Sequence, residues 1–140
     1  MKAFILHNTD DTCVHIFRTE MELLGYVEAP DIEEGFYEVY DERGNYYELI
    51  VKDDRNQMVM KESLPDQLHD RLKVYLSSCI PSKAVVFENA TLETLVEELQ
   101  RFSDDQAFSL EKVAKNLSAS LCAPVLGIVR WWREFLRRTG

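Results

Sequence analysis

Residues 37–50 read YEVYDERGNYYELI, and the centre of this stretch has the composition of a tight turn. A type I turn followed by a glycine in the left-handed region is a common three-residue connection between antiparallel strands. Gly44 occupies the position where only glycine escapes a steric penalty, with Asp41 and Asn45 flanking the loop. The stretch therefore predicts a β-hairpin over residues 36–51.

Counting outward from this turn sets the pairing of the two strands. Tyr40 then lies opposite Tyr46, Val39 opposite Tyr47, and Glu38 opposite Glu48. Because side chains alternate between the two faces of a strand, one face is apolar and is expected to face the core. The core face carries Tyr37, Val39, Tyr47, Leu49 and Val51, and the outer face carries Glu38, Tyr40, Tyr46 and Glu48. A slip of one residue would exchange the faces.

The outer face of this hairpin is the first candidate site. Like charges directly across a ladder destabilise it, so Glu38 and Glu48 need solvent, a cation or a basic partner. Tyrosines such as Tyr40 and Tyr46 are frequent in contact surfaces. Three interpretations stay open: a solvated face, a contact surface for a cationic protein, and a metal site for which no third ligand is evident. We expect these four residues to form an exposed patch that holds a cationic partner.

Acidic charge is concentrated around the hairpin. Residues 20–54 contain twelve acidic residues and only two basic ones, Arg43 and Lys52, while the whole chain carries a net charge of −9. The segment 28–35, EAPDIEEG, is expected to be an acidic loop, and its Asp31, Glu33 and Glu34 are further candidate partner contacts. Such a field accelerates the association of a basic ligand, although general solubility is the commoner reason for an acidic surface.

Composition narrows the class of protein. The 140 residues suit one domain, 1–140, and 46% hydrophobic with 29% charged residues is ordinary for a globular chain. Three widely spaced cysteines without a CxxC pair indicate neither a zinc site nor a disulfide framework, so a reducing cytoplasm is the expected compartment. The first apolar run is too short for a signal peptide, and no run reaches the length of a membrane span.

Periodicity places strands early and helices late. A Thr19-x-x-Glu22 capping box predicts the first helix, and 3–4 spacing of apolar residues predicts the later ones. The predicted strands outside the hairpin are 2–7, 12–17 and 83–87, a polar break is expected at 52–57, and the predicted helices are 19–27, 64–80, 89–102, 109–121 and 125–138. This order favours an α+β fold in which a small antiparallel sheet from the N-terminal half packs with one face against C-terminal helices.

The last predicted helix supports an alternative function. Arg130, Arg133 and Arg137 share one face of 125–138, which would suit a regulator that contacts nucleic acid. A core-packed amphipathic helix with a basic outer face is the simpler interpretation. No catalytic signature surrounds the three histidines and no glycine-rich phosphate loop occurs, so we expect neither an enzyme nor a cofactor.

Two short motifs carry a resemblance. Glu28, Asp31 and Gly35 follow an E-x-x-D-x-x-x-G pattern, and Tyr40, Asp41 and Gly44 follow a YD-x-x-G pattern. Together they resemble the opening segment of small immunity proteins of bacterial polymorphic toxin systems, over about a fifth of the chain. The resemblance implies a cytoplasmic inhibitor that binds and masks a toxin domain. The leading expectation is thus a non-catalytic binding protein that neutralises a basic partner.

We expect no binding of duplex DNA at physiological salt, because the net charge of −9 repels phosphates on approach. Fluorescence anisotropy of a labelled 20-base-pair duplex, titrated with the full chain, measures this. Salt-sensitive binding at low micromolar protein would instead favour the nucleic-acid regulator.

Overall fold

A computed structural model describes residues 3–116, in which five antiparallel strands form one sheet. The spatial order of the strands is β2-β1-β3-β4-β5. The strands are β1 (Phe4–Asn8), β2 (Val14–Phe17), β3 (Tyr37–Asp41), β4 (Asn45–Lys52) and β5 (Arg55–Ser63). The predicted α+β class, with the sheet in the N-terminal half, is confirmed.

The β3–β4 hairpin forms as its turn residues predict. Gly44 has φ +88°, and its N–H donates to the Asp41 carbonyl at 3.0 Å. Val39 pairs with Tyr47 and Tyr40 with Tyr46, so the predicted register is confirmed at the two pairs nearest the turn. The turn chemistry therefore determines which side chains share a face of the sheet.

The carboxylate of Asp41 holds this turn together. It is buried and accepts hydrogen bonds from the backbone N–H groups of Arg43 at 2.9 Å and Asn45 at 3.0 Å. The Asn45 side-chain amide at 2.8 Å and the Tyr47 hydroxyl at 3.2 Å complete the set. Burial opposes ionisation, but these donors, Asn45 foremost, hold the pKa of Asp41 below its usual value.

A fifth strand, β5, follows where only a polar break was expected. Asp53 and Asp54 have φ values of +53° and +59°, the signature of a two-residue hairpin turn that reverses the chain. Lys52 then pairs with Arg55, and the ladder continues to Asn45 and Ser63. Most of β5 is exposed at the sheet edge, so its sequence lacks the apolar alternation by which a half-buried strand is recognised.

Two short helices cover one face of the sheet. Helix α1 (Glu20–Tyr26) begins at the predicted cap, where the Thr19 hydroxyl accepts from the Glu22 N–H at 3.1 Å. Helix α2 (Ala29–Glu33) replaces the acidic loop expected at 28–35, and that prediction is wrong. Pro30 in the first turn favours helix initiation, because its fixed φ suits that position and its missing N–H costs nothing there.

Within residues 3–116, three helices cover the other face. Helix α3 (Pro65–Cys79) matches its prediction. The strand expected at 83–87 is wrong, because a 3₁₀ turn (Pro81–Lys83) leads into helix α4 (Ala84–Glu88), whose Val85 and Val86 are exposed rather than paired. Helix α5 (Leu92–Asn116) runs without the break expected between 102 and 109. The predicted helix 125–138 and residues 117–121 lie outside the described residues.

The hydrophobic core occupies both sides of the sheet, whereas helices were expected on one face only. On one side, Leu23 of α1 packs with Phe4, Leu6 and Val39 of the sheet. Val27, the residue that follows α1, belongs to the same cluster. On the opposite side, the sheet residues Ile5 and Tyr40 pack beneath side chains of α3, α4 and α5, namely Leu68, Leu72, Tyr75, Leu76, Phe87, Leu95 and Leu99. The face expected to be solvated is therefore also a core face.

Replacing Gly44 with valine should destabilise the protein by about 2 kcal/mol or more, since a β-branched side chain is strained at positive φ. A Cβ at this position would also overlap the backbone of Pro65 at the start of α3. Thermal or urea unfolding of Gly44→Val measures the loss.

Gly35→Ala is the matched control. Gly35 has φ +75°, but a Cβ there meets nothing within 4 Å, so only the conformational strain of about 1 kcal/mol applies. Equal losses for the two variants would contradict the close packing of the hairpin tip on α3.

Candidate partner-binding surface

The four residues expected to form an exposed patch do not form one, because the structure exposes only Glu48 among them. Tyr40 is fully buried, so its predicted exposure is wrong. Its ring lies edge-on to Tyr46 at 5.5 Å between centroids, and its hydroxyl accepts from the Gln67 side chain on α3. Because α3 covers this face, Tyr40 and Tyr46 contribute to the core and not to a contact surface.

Glu38 is bound within the protein. Its carboxylate accepts from Nδ1 of His7 at 2.6 Å and from Nε and Nη2 of Arg71 at 2.9 and 3.3 Å. These hydrogen bonds, with His7 first, lower the pKa of Glu38 from 4.5 to about 2 although burial opposes the shift. The cation that Glu38 was expected to take from a partner is therefore supplied by Arg71 of α3, with His7 of β1 as a second hydrogen-bond partner. The predicted place of Glu38 in an exposed patch is wrong.

Glu48 is exposed, but it also has a cation within the protein. Its carboxylate lies 3.1 Å from Nζ of Lys61, which stands at an irregularity in the pairing of β4 with β5. Glu48 pairs with Val59 of β5 in the sheet. No patch of Glu38, Tyr40, Tyr46 and Glu48 exists among the described residues, because only Glu48 among them faces solvent.

The acidic residues before the hairpin are better exposed. Residues 20–34, which contain α1 and α2, carry six carboxylates and no lysine or arginine. We call this segment the acidic helical layer; its acids are Glu20, Glu22, Glu28, Asp31, Glu33 and Glu34. Of the predicted contacts, Glu33 and Glu34 are exposed, whereas Asp31 is half-buried and accepts from the Tyr37 hydroxyl at 3.1 Å.

The acidic helical layer has an unusual charge distribution along its helices. Glu20 and Glu22 lie in the first turn of α1, where the helix dipole favours acids. Glu33 and Glu34 stand at the C-terminal end of α2, where the dipole disfavours them, and no basic residue occupies that last turn. Within residues 3–116, none of the four forms an ion pair. A cation from a partner would therefore relieve the repulsion between the C-terminal end of α2 and the carboxylates of Glu33 and Glu34.

Exposed methionines accompany these acids, and sequence reasoning missed them. Met21 of α1 lies between Glu20 and Glu22 and is 84% exposed. Met60 of β5 is 63% exposed and pairs with Tyr47, which places it on the sheet face that α1 and α2 cover. Their exposure depends on where the helices pack, so no local pattern could have revealed it. Flexible apolar side chains of this kind suit protein contacts.

A small cavity adjoins the Glu38 cluster. It has a volume of about 330 Å³ and is lined by side chains of the β1–β2 region and of α3, among them His7, Cys13, Asp70, Arg71 and Tyr75. His7 and Arg71 already bind Glu38, and Asp70 lies 3.9 Å from Lys73. The charges of Arg71 and Asp70 are therefore each balanced by a partner within the protein.

Within residues 3–116, no three His, Cys, Asp or Glu side chains are grouped so that they could hold a metal ion. None of the helices in that range is both long and apolar enough to span a bilayer. The predicted basic face of Arg130, Arg133 and Arg137 lies outside the described residues.

Comparison with known proteins finds no relative. No family model, curated protein or solved structure matches the chain.

Stability should fall as the pH is lowered from about 4.5 toward 2, in part through Glu38. Its pKa is depressed in the folded state, so its contribution is complete above the unfolded value of 4.5 and is lost as pH falls through about 2. Urea unfolding of wild type and Glu38→Gln at pH 7, 4.5 and 3 measures this.

The Glu38→Gln variant should be less stable at pH 7, by roughly 2–3 kcal/mol, because His7 and Arg71 lose a charged acceptor. The difference in unfolding free energy between wild type and Glu38→Gln should be smaller at pH 3 than at pH 7. Glu48→Gln, which removes an exposed carboxylate paired with Lys61, should cost well under about 1 kcal/mol. A constant gap between wild type and Glu38→Gln across this range would contradict the assigned pKa.

Proposed function

We propose that the protein is a non-catalytic binding protein that neutralises a cationic protein partner, in the manner of an immunity protein that masks a basic toxin domain. The observation that supports this most directly is the acidic helical layer, with six carboxylates and no basic residue in residues 20–34. The cytoplasm is the compartment in which we propose that such an inhibitor acts.

The exposed carboxylates favour a basic partner electrostatically. Glu20, Glu22, Glu33 and Glu34 are exposed, so their field extends into solvent. Attraction between such a surface and a basic protein raises the association rate most strongly at low salt. For an inhibitor that must capture its target before damage occurs, a fast association rate is the useful property.

Packing and hydrogen bonds hold helix α1 of the acidic helical layer in place. Leu23 and Val27 anchor α1 to the sheet, and both are buried. The side-chain amide of Asn56 on β5 donates to the carbonyls of Leu24 at 3.3 Å and Val27 at 3.1 Å, which satisfies the end of α1. A surface held in this way loses little conformational entropy when it binds.

Met21 supplies an apolar contact within the charged surface. Charges steer association and set specificity, whereas buried apolar anchors provide much of the affinity. An exposed methionine flanked by Glu20 and Glu22 combines both on one helix turn.

The motif residues that resemble immunity proteins serve the local fold. Asp31 accepts a hydrogen bond from the Tyr37 hydroxyl, and Gly35 has φ +75° directly after Glu34, the C-cap of α2. Asp41 and Gly44 form the hairpin turn. Support for an immunity-type role therefore comes from the acidic surface and not from these residues as contacts.

Binding should weaken when the acidic helical layer loses charge. The probe is the purified product of the gene next to the one encoding this chain, provided that it is basic. We expect Glu33→Gln/Glu34→Gln to associate roughly 3- to 10-fold more slowly, with a flatter dependence on salt. Surface plasmon resonance at 0.05 and 0.3 M salt measures the rates.

Asp53→Asn/Asp54→Asn is the control, because it removes the same charge from the exposed β4–β5 turn and asparagine tolerates positive φ. If both variants associate equally slowly, the acidic helical layer acts only through the overall charge of the protein and is not the binding surface. Failure of wild type to bind or to protect cells that express the neighbouring gene would contradict the immunity role.

A further inference from the structure

A cleft of about 540 Å³ lies between the tip of the β3–β4 hairpin and the first turns of α5. It is on the side of the sheet opposite the acidic helical layer, because α5 packs on the face that carries Tyr40. The lining residues are Glu42, Arg43, Leu92, Glu93, Val96 and Glu97. Its volume falls in the range of sites that hold a ligand or an anchoring side chain.

The cleft combines an apolar floor with acidic walls. Leu92 and Val96, one turn apart on α5, are half-buried against the core. Glu93 and Glu97 follow them at the same spacing, and like charges four residues apart destabilise a helix. Glu42 adds a third carboxylate from the hairpin, and no side chain in the described range forms an ion pair with any of the three.

Both walls of the cleft are fixed before anything binds. The Glu42 N–H donates to the carbonyl of Ala3 at 3.1 Å, and the Gly44 carbonyl accepts from the Leu64 N–H at 2.7 Å. On the other wall, the Thr91 hydroxyl accepts from the Thr94 N–H at 3.2 Å, and Leu95 is fully buried. A preformed cleft avoids the entropic cost of ordering its walls on binding.

We propose that this cleft binds a cationic amphipathic segment of a protein partner. Lysine or arginine heads would meet Glu42, Glu93 and Glu97, while their aliphatic stems and neighbouring apolar side chains would pack on Leu92 and Val96. Three carboxylates against the single guanidinium of Arg43 select a cation over an anion. The inference goes beyond the proposed function, because the cleft and the acidic helical layer lie on opposite sides of the sheet.

A labelled helical peptide tests the cleft. The probe is a 14-residue amphipathic peptide of leucine and arginine carrying fluorescein, titrated with the full chain at 0.15 M salt and followed by anisotropy. We expect Glu93→Gln/Glu97→Gln to weaken binding about tenfold, since two charged hydrogen bonds are lost. Glu33→Gln/Glu34→Gln, which removes equal charge from the acidic helical layer, should stay within about twofold of wild type.

The remaining outcomes overturn the proposal. Equal weakening by the two variants would indicate attraction to the net charge alone. If wild type does not bind the peptide, or if only Glu33→Gln/Glu34→Gln weakens binding, the cleft is not the peptide-binding site. The proposed function of the acidic helical layer would be unaffected by either result. Unfolding curves of each variant exclude a loss of fold as the cause.

Two further measurements locate the peptide. Val96→Thr keeps the shape of the side chain but makes the floor polar, and we expect it to weaken binding several-fold. Amide chemical shifts of the labelled chain should change at 42–44 and 92–97 when peptide is added. Changes confined to 20–34 would place the peptide on the acidic helical layer and contradict the cleft.

Discussion

The buried carboxylate of Asp41 is the contact on which most of this architecture depends. It accepts hydrogen bonds from two backbone N–H groups, a side-chain amide and a hydroxyl, and so sets the register of β3 against β4. The same turn joins β1 through the Ala3 carbonyl and α3 through the Leu64 N–H. The residues of this one turn thus determine how β3 and β4 pair, which side chains share a face, and where α3 packs.

Once the register is set, each side chain of the hairpin has a determined environment. Tyr40 must face α3, and Glu38 two residues earlier must share that face. A carboxylate there is tolerable only because His7 and Arg71 reach it. Glu38 therefore links β1, β3 and α3 electrostatically, while exposed charge is left to residues 20–34 and to the cleft beside α5.

Local chemistry explains what the sequence could predict. The hairpin register, the Thr19 cap and α3 follow from turn residues and apolar spacing, which act over a few positions. The full burial of Tyr40 and the partial burial of Glu38 could not be predicted, because Gln67 and Arg71, which contact them, lie about thirty residues later in the chain. Strand β5 was not predicted, because an exposed edge strand needs no alternation of apolar and polar residues. Of the candidate site, Asp31, Glu33 and Glu34 lie in the acidic helical layer, and their role in binding stays a prediction.

The two hairpin turns of the sheet differ in how much change they can absorb. The Asp41–Asn45 turn touches Pro65 and is hydrogen-bonded to two other elements, so it has no space for extra residues. The Asp53–Asp54 turn is exposed, and in the described part of the chain no hydrogen bond from either side chain ties it to another element. A fluorophore, an affinity tag or a fused domain is therefore best inserted between Asp53 and Asp54, where exposed turn tips tolerate insertion.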